Sequence, residues 1–141
     1  MKRQASATWT GNLQDGKGSI STATGTLSST PYGFKSRFED GPGTSPEELI
    51  AAAHAGCFSM ALSLILGKNG LTPERIETRA EVTLVKDGEG FSISSSHLDV
   101  VAKVPGTDEA TFLGIAKQAK EGCPVSKVLN ATITMDARLQ A

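Results

Sequence analysis

Two cysteines are the side chains of this sequence best suited to nucleophilic or redox chemistry. Cys57 is flanked by small residues that would let a reactant approach its sulfur, and Cys123 lies between Gly122 and Pro124. A thiolate can attack a peroxide oxygen, and the sulfenic acid that results can condense with a second thiol to form a disulfide. Two inert core thiols are the alternative, because free cysteine is among the most buried residue types.

A reactive Cys57 would need help from its surroundings. The thiol lies twelve residues into a helix that is predicted to begin at Ser45, where the field of the helix dipole has faded and burial raises the pKa of a thiol. A nearby cation is therefore expected, and Arg37 is the candidate because it precedes the glycine-rich turn that leads into the helix. A solvated strand arginine paired with Glu39 is the alternative for Arg37.

Glu48 is the candidate carboxylate for Arg37. A glutamate could hold the guanidinium in a bidentate clamp, although a capping box with Ser45 would by itself explain a glutamate at this position. Nine residues separate Glu48 from Cys57, which puts them on opposite faces of a regular helix. If both serve one site, we expect Glu48 to reach the Cys57 of a second subunit.

Cys123 is predicted to lie where one helix ends and another begins. A thiol at a helix N-terminus gains thiolate character and stays accessible, which suits a resolving role. A cap residue without chemistry is the alternative.

The elements that must position these residues follow an α+β order within a single domain, residues 1–141. Turn and periodicity signals predict short strands over residues 2–40, a helix from Ser45 to about Lys68, strands over 76–85 and 91–104, a helix over 108–121, a short helix from Cys123 and a last strand over 131–139.

The long helix is apolar around nearly its whole circumference. It is about long enough to span a membrane, but it contains His54 and Cys57 and directly follows two glutamates, so we interpret it as a buried core helix. Because a chain of this size has difficulty surrounding such a helix, a partner subunit is expected. An apolar channel beside Cys57, lined by Phe34, Phe38, Phe58 and Met60, would favour organic hydroperoxides over hydrogen peroxide, although these residues can equally be core.

Composition and net charge limit the possible cellular location and binding partners of the protein. The 141 residues have a net charge of −1, which argues against binding to nucleic acid or to an acidic membrane surface. The N-terminus is basic but no apolar run follows that would make a secretory signal, so a cytoplasmic location is expected. In that reducing compartment, two functional cysteines should cycle between thiol and disulfide.

Three other functions use some of the same residues. A zinc or redox-structural module could use Cys57, Cys123, His54 and His97, but their spacing is not that of a zinc site. His54 could act as the base of a Cys-His hydrolase, whereas a histidine in an alanine-rich buried helix is more often only hydrogen-bonded in the core. A dimeric module that binds apolar ligands and retains the cysteines is the third.

Several segments together resemble the OsmC/Ohr peroxidase family, and within it the osmotically inducible protein C branch. The segments are PYGF (31–34), RFE (37–39), GTSPEELI (43–50), AAHAGCFSMALSL (52–64) and GCPVS (122–126). The resemblance covers essentially the whole chain. It implies an intertwined homodimer with two active sites at the subunit interface, in which β-sheets pack around long buried central helices.

The resemblance also implies roles for four residues. Cys57 corresponds to the peroxidatic cysteine, Cys123 to the resolving cysteine, Arg37 to the cation and Glu48 to its carboxylate partner. It further implies no cofactor or metal, a preference for organic hydroperoxides over hydrogen peroxide, and an external thiol reductant, such as a dithiol of the lipoyl type. The expected role is defence against oxidative or osmotic stress.

Overall fold

The computed structural model describes residues Met1 to Ala141, which form two compact units, 1–49 and 50–141. The elements are β1 (Ala5–Thr10), β2 (Lys17–Thr22), β3 (Thr30–Tyr32), α1 (Phe34–Phe38), α2 (Pro46–Lys68), β4 (Arg75–Asp87), β5 (Gly90–Lys103), α3 (Glu109–Gly122), α4 (Pro124–Val128) and β6 (Thr132–Gln140). The α+β class is confirmed, while the single domain over 1–141 stays a prediction.

The N-terminal unit contains an antiparallel sheet in the order β1-β2-β3. Gly18 pairs with Trp9 on one side and Tyr32 on the other, and a Cβ at Gly18 would lie 2.4 Å from the Tyr32 ring. The aromatic rings of Trp9 and Tyr32 therefore meet over this glycine, with centroids 5.6 Å apart. The strands predicted for this region are present up to Tyr32.

The prediction of strand beyond Tyr32 is wrong, because Phe34–Phe38 forms the short helix α1. The Ser36 hydroxyl accepts a hydrogen bond from the Gly33 N–H at 2.8 Å and donates one to the Gly33 carbonyl at 3.1 Å. A serine that bonds to the backbone locally in this way gives the chain an alternative to a sheet ladder. Arg37 is consequently a helical residue.

Both ends of α2 follow the signals in the sequence. The Ser45 hydroxyl accepts the Glu48 N–H at 3.1 Å, so Ser45 caps the helix and the first helical residue is Pro46, one position after the predicted start. At the other end Gly70 has a φ of +74°, and the Leu71 N–H bonds to the Leu66 carbonyl at 2.9 Å. This is a Schellman stop, which requires the left-handed conformation that glycine adopts readily.

The C-terminal unit contains a second sheet in the order β4-β5-β6. β4 and β5 form the predicted antiparallel hairpin, and β6 lies parallel to β5 after the crossover through α3 and α4. Burial along β5 alternates, so that one face of the sheet meets the helices and the other meets solvent. The core of buried apolar side chains consists of Phe58, Leu62, Leu66, Leu98, Val100, Ala102, Val104, Phe112, Ile115, Ala116, Ala119 and Cys123.

Within the C-terminal unit, α2 has one buried side and one exposed side. His54, Phe58, Leu62 and Leu66, spaced four apart, are fully buried, whereas Met60 is 77% and Leu64 60% exposed. The helix is long and apolar enough to cross a membrane by length and composition. Its buried side chains nevertheless belong to the core of the C-terminal unit, as expected for a central helix of this fold.

Candidate functional site

The two cysteines, 66 residues apart in the sequence, meet in the C-terminal unit. Their Sγ atoms lie 2.9 Å apart and share a hydrogen bond, and both are free thiols. Cys57 projects from the middle of α2 and is half-buried, while Cys123 immediately precedes α4. A disulfide bond is about 2.05 Å long, so its formation here requires the sulfurs to approach by only about 1 Å.

Cys123 is less accessible than its position suggested. Its side chain is fully buried in the chain, although it occupies the predicted place between α3 and α4. The expectation that this thiol stays accessible is therefore wrong, because its sulfur faces Cys57 and the core rather than solvent. Its immediate neighbour is the other thiol.

Cys57 is a protonated thiol at neutral pH in the single chain. Burial of the sulfur is the main cause that raises the pKa of Cys57, and the hydrogen bond with Cys123 acts in the same direction. The backbone N–H of Val125 hydrogen-bonds to the sulfur and lowers the pKa, but it does not offset burial. This direction agrees with the expectation that a reactive Cys57 requires a cation.

Arg37 binds Glu47 within the N-terminal unit. Its Nε and Nη2 both donate to Oε1 of Glu47, at 3.1 and 2.9 Å, and its guanidinium lies over the Phe38 ring, 5.3 Å from the centroid. Glu47 is only 8% exposed. Its second oxygen, Oε2, is buried and has no hydrogen-bond partner, so this carboxylate can still accept a hydrogen bond.

The predicted Arg37 to Glu48 clamp is therefore wrong within the chain. Glu48 is exposed, and its carboxylate accepts a hydrogen bond from the Thr44 hydroxyl at 2.7 Å. Arg37 also does not pair with Glu39, the alternative partner. Because Glu48 does not hold Arg37 here, the expectation that Glu48 reaches the Cys57 of a second subunit stays a prediction without this contact to support it.

Glu47 is the residue that sequence reasoning missed. Both glutamates belong to the first turn of α2, and the capping signal drew attention to the second. Helical geometry offered a discriminating signal, because residues ten apart point in directions about 80° from each other, whereas residues nine apart point in opposite directions. Glu47 is the one that lies ten residues before Cys57.

An apolar cavity of about 290 Å³ adjoins Arg37 in the N-terminal unit. Its lining consists of Trp9, Leu13, Tyr32, Gly33, Phe34, Arg37 and Phe38. Phe34 and Phe38 line this cavity, but Cys57, beside which the channel was expected, is not part of its lining. Phe58 instead lies in the core and Met60 on the exposed side of α2, so the expected four-residue lining is wrong for these two.

His54 is a buried core histidine, as the alternative to a catalytic base anticipated. Its Nδ1 lies 2.7 Å from the Ser96 hydroxyl and its Nε2 2.7 Å from the Ser126 hydroxyl. Burial lowers the pKa of His54, so the imidazole is neutral at pH 7. Both nitrogens are occupied, which leaves neither to serve as a base for Cys57 or as a zinc ligand.

His97 lies apart from the cysteines, in an exposed network on the outer face of the second sheet. Its Nδ1 lies 2.6 Å from the Thr134 hydroxyl and its Nε2 3.3 and 3.2 Å from the carboxylates of Asp99 and Asp136. The imidazole and these two carboxylates form the one cluster of side chains close enough together to bind a metal ion. It includes neither cysteine, so the four-residue zinc set is not assembled.

Comparisons with known proteins show the family of this chain. Residues 39–138 match the model of the family described as OsmC-like protein. A peroxiredoxin OsmC of Escherichia coli (strain K12) is 52% identical over 139 residues, covering 99% of this chain and 97% of that protein. The chain belongs to the OsmC-like family.

More distant members agree in sequence and in fold. An organic hydroperoxide resistance protein-like 2 of Staphylococcus epidermidis is 30% identical over 105 residues, covering 73% of this chain and 72% of that protein. The crystal structure of the organic hydroperoxide resistance protein OhrB of Bacillus subtilis matches with a TM-score of 0.70 at 25% identity, over 96% of this chain and 98% of that one. The OsmC-like fold expected from the sequence is confirmed.

Proposed function

We propose that this OsmC-like chain reduces hydroperoxides through a Cys57 sulfenic acid and a Cys57–Cys123 disulfide, in defence against oxidative or osmotic stress. The peroxidase class follows from the 52% identity with a peroxiredoxin OsmC over nearly the full length. The single observation that supports the cysteine mechanism is the 2.9 Å separation of the two sulfurs. Chance placement of two inert thiols would not require them to face each other.

The proposed cycle has three steps. The Cys57 thiolate attacks the terminal oxygen of the hydroperoxide, the O–O bond breaks, and the alcohol leaves after taking up a proton. The sulfenic acid on Cys57 then condenses with the Cys123 thiol, which forms the S–S bond and releases water. An external dithiol, of the lipoyl type, reduces the disulfide and becomes oxidised itself.

Arg37 acts mainly on the transition state. Lowering the pKa of a thiol from about 8.5 to about 6 raises the thiolate fraction roughly thirtyfold at pH 7, but the accompanying loss of nucleophilicity, roughly ten- to twentyfold, cancels most of that gain. Hydrogen bonds donated by the guanidinium to the departing oxygen, as negative charge develops there, give the larger effect. Glu47, not Glu48, holds the guanidinium in this proposal.

The preferred substrates are organic hydroperoxides. The aromatic cavity beside Arg37 would receive an alkyl or aryl group, which hydrogen peroxide lacks. No cofactor or metal takes part, and the proposal includes no nucleic-acid or membrane partner. We place the enzyme in the cytoplasm, where thiol reductants are available.

A second copy of the chain covers the exposed side of α2. Ala53, Gly56, Met60 and Leu64 recur along that side at intervals of three or four residues, and a Cβ at Gly56 would meet nothing within 4 Å. Small residues allow close helix packing, and the exposed apolar side chains would lose contact with water. We therefore propose a homodimer with active sites at the subunit interface. The raised pKa of Cys57 in a lone chain also favours a dimer, because a partner could bring the cation that a reactive thiol needs.

The deciding experiment measures hydroperoxide consumption with a dithiol donor. Cumene hydroperoxide should be reduced faster than hydrogen peroxide, and mass spectrometry should find one oxygen on Cys57 of Cys123→Ser after one equivalent of peroxide. Unchanged peroxide consumption by Cys57→Ser would refute the mechanism. Ser92→Ala is the control for unspecific damage, because Ser92 is a half-buried residue of β5 outside the core and its hydroxyl bonds to Asp87 at the end of the same hairpin.

A further inference from the structure

The buried imidazole of His54 joins three elements of the C-terminal unit. It projects from α2 one turn before Cys57 and is fully buried. Its Nδ1 contacts the Ser96 hydroxyl on β5 and its Nε2 the Ser126 hydroxyl on α4, each at 2.7 Å. A neutral imidazole donates through one nitrogen and accepts through the other, and a hydroxyl can do either, so the two hydroxyls satisfy both nitrogens and hold the orientation of the ring.

The α4 turn supplies two groups to the sulfur of Cys57. One is the Cys123 sulfur at 2.9 Å, and the other is the backbone N–H of Val125. Ser126 is the next residue after Val125, so its bond to His54 ties the same turn to α2. The turn has only five helical residues. Few side-chain hydrogen bonds hold it, so the contact between His54 and Ser126 contributes much to fixing its position.

We propose that His54 is a positioning residue for the disulfide step, acting through Ser126 to hold Cys123 and the Val125 N–H against Cys57. The inference rests on the proposed peroxidase function and adds to it a residue that touches neither substrate nor sulfur. Holding two reacting groups within about 3 Å makes their reaction effectively unimolecular. Loosening the turn lowers the fraction of time in which Cys123 faces the sulfenic acid.

A slower disulfide step has a chemical consequence at Cys57. The sulfenic acid can react either with the Cys123 thiol, which gives the disulfide and water, or with a second hydroperoxide, which gives the sulfinic acid and an alcohol. The first reaction is unimolecular, and the second increases with peroxide concentration. The ratio of disulfide to sulfinate therefore reports how well Cys123 is positioned.

The test compares Ser126→Ala with Ser126→Thr and with Ser59→Ala. Ser126→Ala removes the hydroxyl that His54 contacts, and Ser126→Thr keeps a hydroxyl at that position. Ser59→Ala is the matched control, because the Ser59 hydroxyl joins α2 to Thr78 of β4 at 2.8 Å and does not involve α4. Single-turnover reactions with cumene hydroperoxide, quenched by alkylation and analysed by mass spectrometry, give the rates of sulfenate and disulfide formation separately.

We expect Ser126→Ala to slow disulfide formation about three- to tenfold, the usual effect of one lost hydrogen bond. Sulfinate on Cys57 should rise by the same factor, while sulfenate formation stays near the wild-type rate. Ser126→Thr should restore the disulfide rate, and Ser59→Ala should leave it unchanged even if it lowers the melting temperature. A wild-type disulfide rate in Ser126→Ala, or an equal loss in Ser59→Ala, overturns the inference.

Failure of this inference is distinguishable from failure of the peroxidase mechanism. If the mechanism is wrong, the wild-type protein itself forms no sulfenate on Cys57 and no Cys57–Cys123 disulfide. If only the positioning role is wrong, the wild type completes both steps and Ser126→Ala matches it at each one.

Discussion

The two neighbouring glutamates at the start of α2 offer a sharp test of which carboxylate supports the reaction. Glu47 is 8% exposed and holds Arg37 through one oxygen, whereas Glu48 is exposed and bonds to Thr44. Glu47→Gln preserves shape but removes the charge that faces the guanidinium. Glu48→Gln makes the same chemical change one residue away and is the matched control.

The expected magnitude follows from the contacts. A hydrogen bond to a charged group contributes about 1.5 to 3 kcal/mol, but Arg37 has 37% of its side chain exposed, and water screens such a pair. We therefore expect Glu47→Gln to cost about 1 to 2 kcal/mol of transition-state stabilisation, or roughly five- to thirtyfold in kcat/KM. Glu48→Gln should stay within about twofold, as surface substitutions usually do.

The assay is the steady-state kcat/KM for cumene hydroperoxide at saturating dithiol, with the melting temperature measured in parallel. A double-mutant cycle with Arg37→Lys separates loss of the pair from general loss of stability, since contacting residues give non-additive effects. A larger loss in Glu48→Gln than in Glu47→Gln would refute the assignment of Glu47. Additive effects of Glu47→Gln and Arg37→Lys would show that the ion pair is irrelevant to the reaction.

Three further predictions concern Arg37, Cys123 and His54. Arg37→Lys should keep most of the thiolate, measured by alkylation rate against pH, but lose on the order of a hundredfold in peroxidase rate; full activity would count against a transition-state role. Cys123→Ser should form the Cys57 sulfenic acid once and then stall, so steady-state turnover with dithiol would remove its resolving role. Because burial lowers the pKa of His54 below the ordinary value of about 6.5 for a histidine, the unfolded chain binds the extra proton first as pH falls. The free energy of unfolding should therefore be highest above about pH 6.5 and should fall as the pH drops from there to the lowered pKa of the folded state. Urea denaturation should show this fall in the wild type and a weaker one in His54→Gln.

Local signals in the sequence predicted much of the fold. The cap at Ser45, the end of α2 at Lys68 and the helix predicted over 108–121 depend on neighbours within a few positions, and the structure has all of them. The helix at Phe34–Phe38 was missed because aromatic residues favour strands, whereas the Ser36 hydroxyl bonds to the backbone of Gly33 and favours a turn.

The candidate site was less predictable because its contacts are not local. The choice between Glu47 and Glu48 depends on where α1 places the guanidinium, and the helical spacing from Cys57 favours Glu47 without giving that position. Burial of Cys123 likewise depends on Cys57, 66 residues away. The pairing of the two cysteines was expected from the family resemblance, and their distance could be obtained only from the folded chain.

The electrostatics of Cys57 connect the reaction to assembly. In a lone chain, burial and the second thiol raise the pKa of Cys57, and the single N–H of Val125 does not reverse the shift. A thiol in this state reacts slowly with hydroperoxides, because the thiolate is the nucleophile. The proposed dimer would change this by bringing the Arg37 guanidinium, held by Glu47, to the sulfur. On this reasoning the cysteine pair is arranged by the fold of one chain, whereas its reactivity depends on a charge that the local surroundings of Cys57 do not contain.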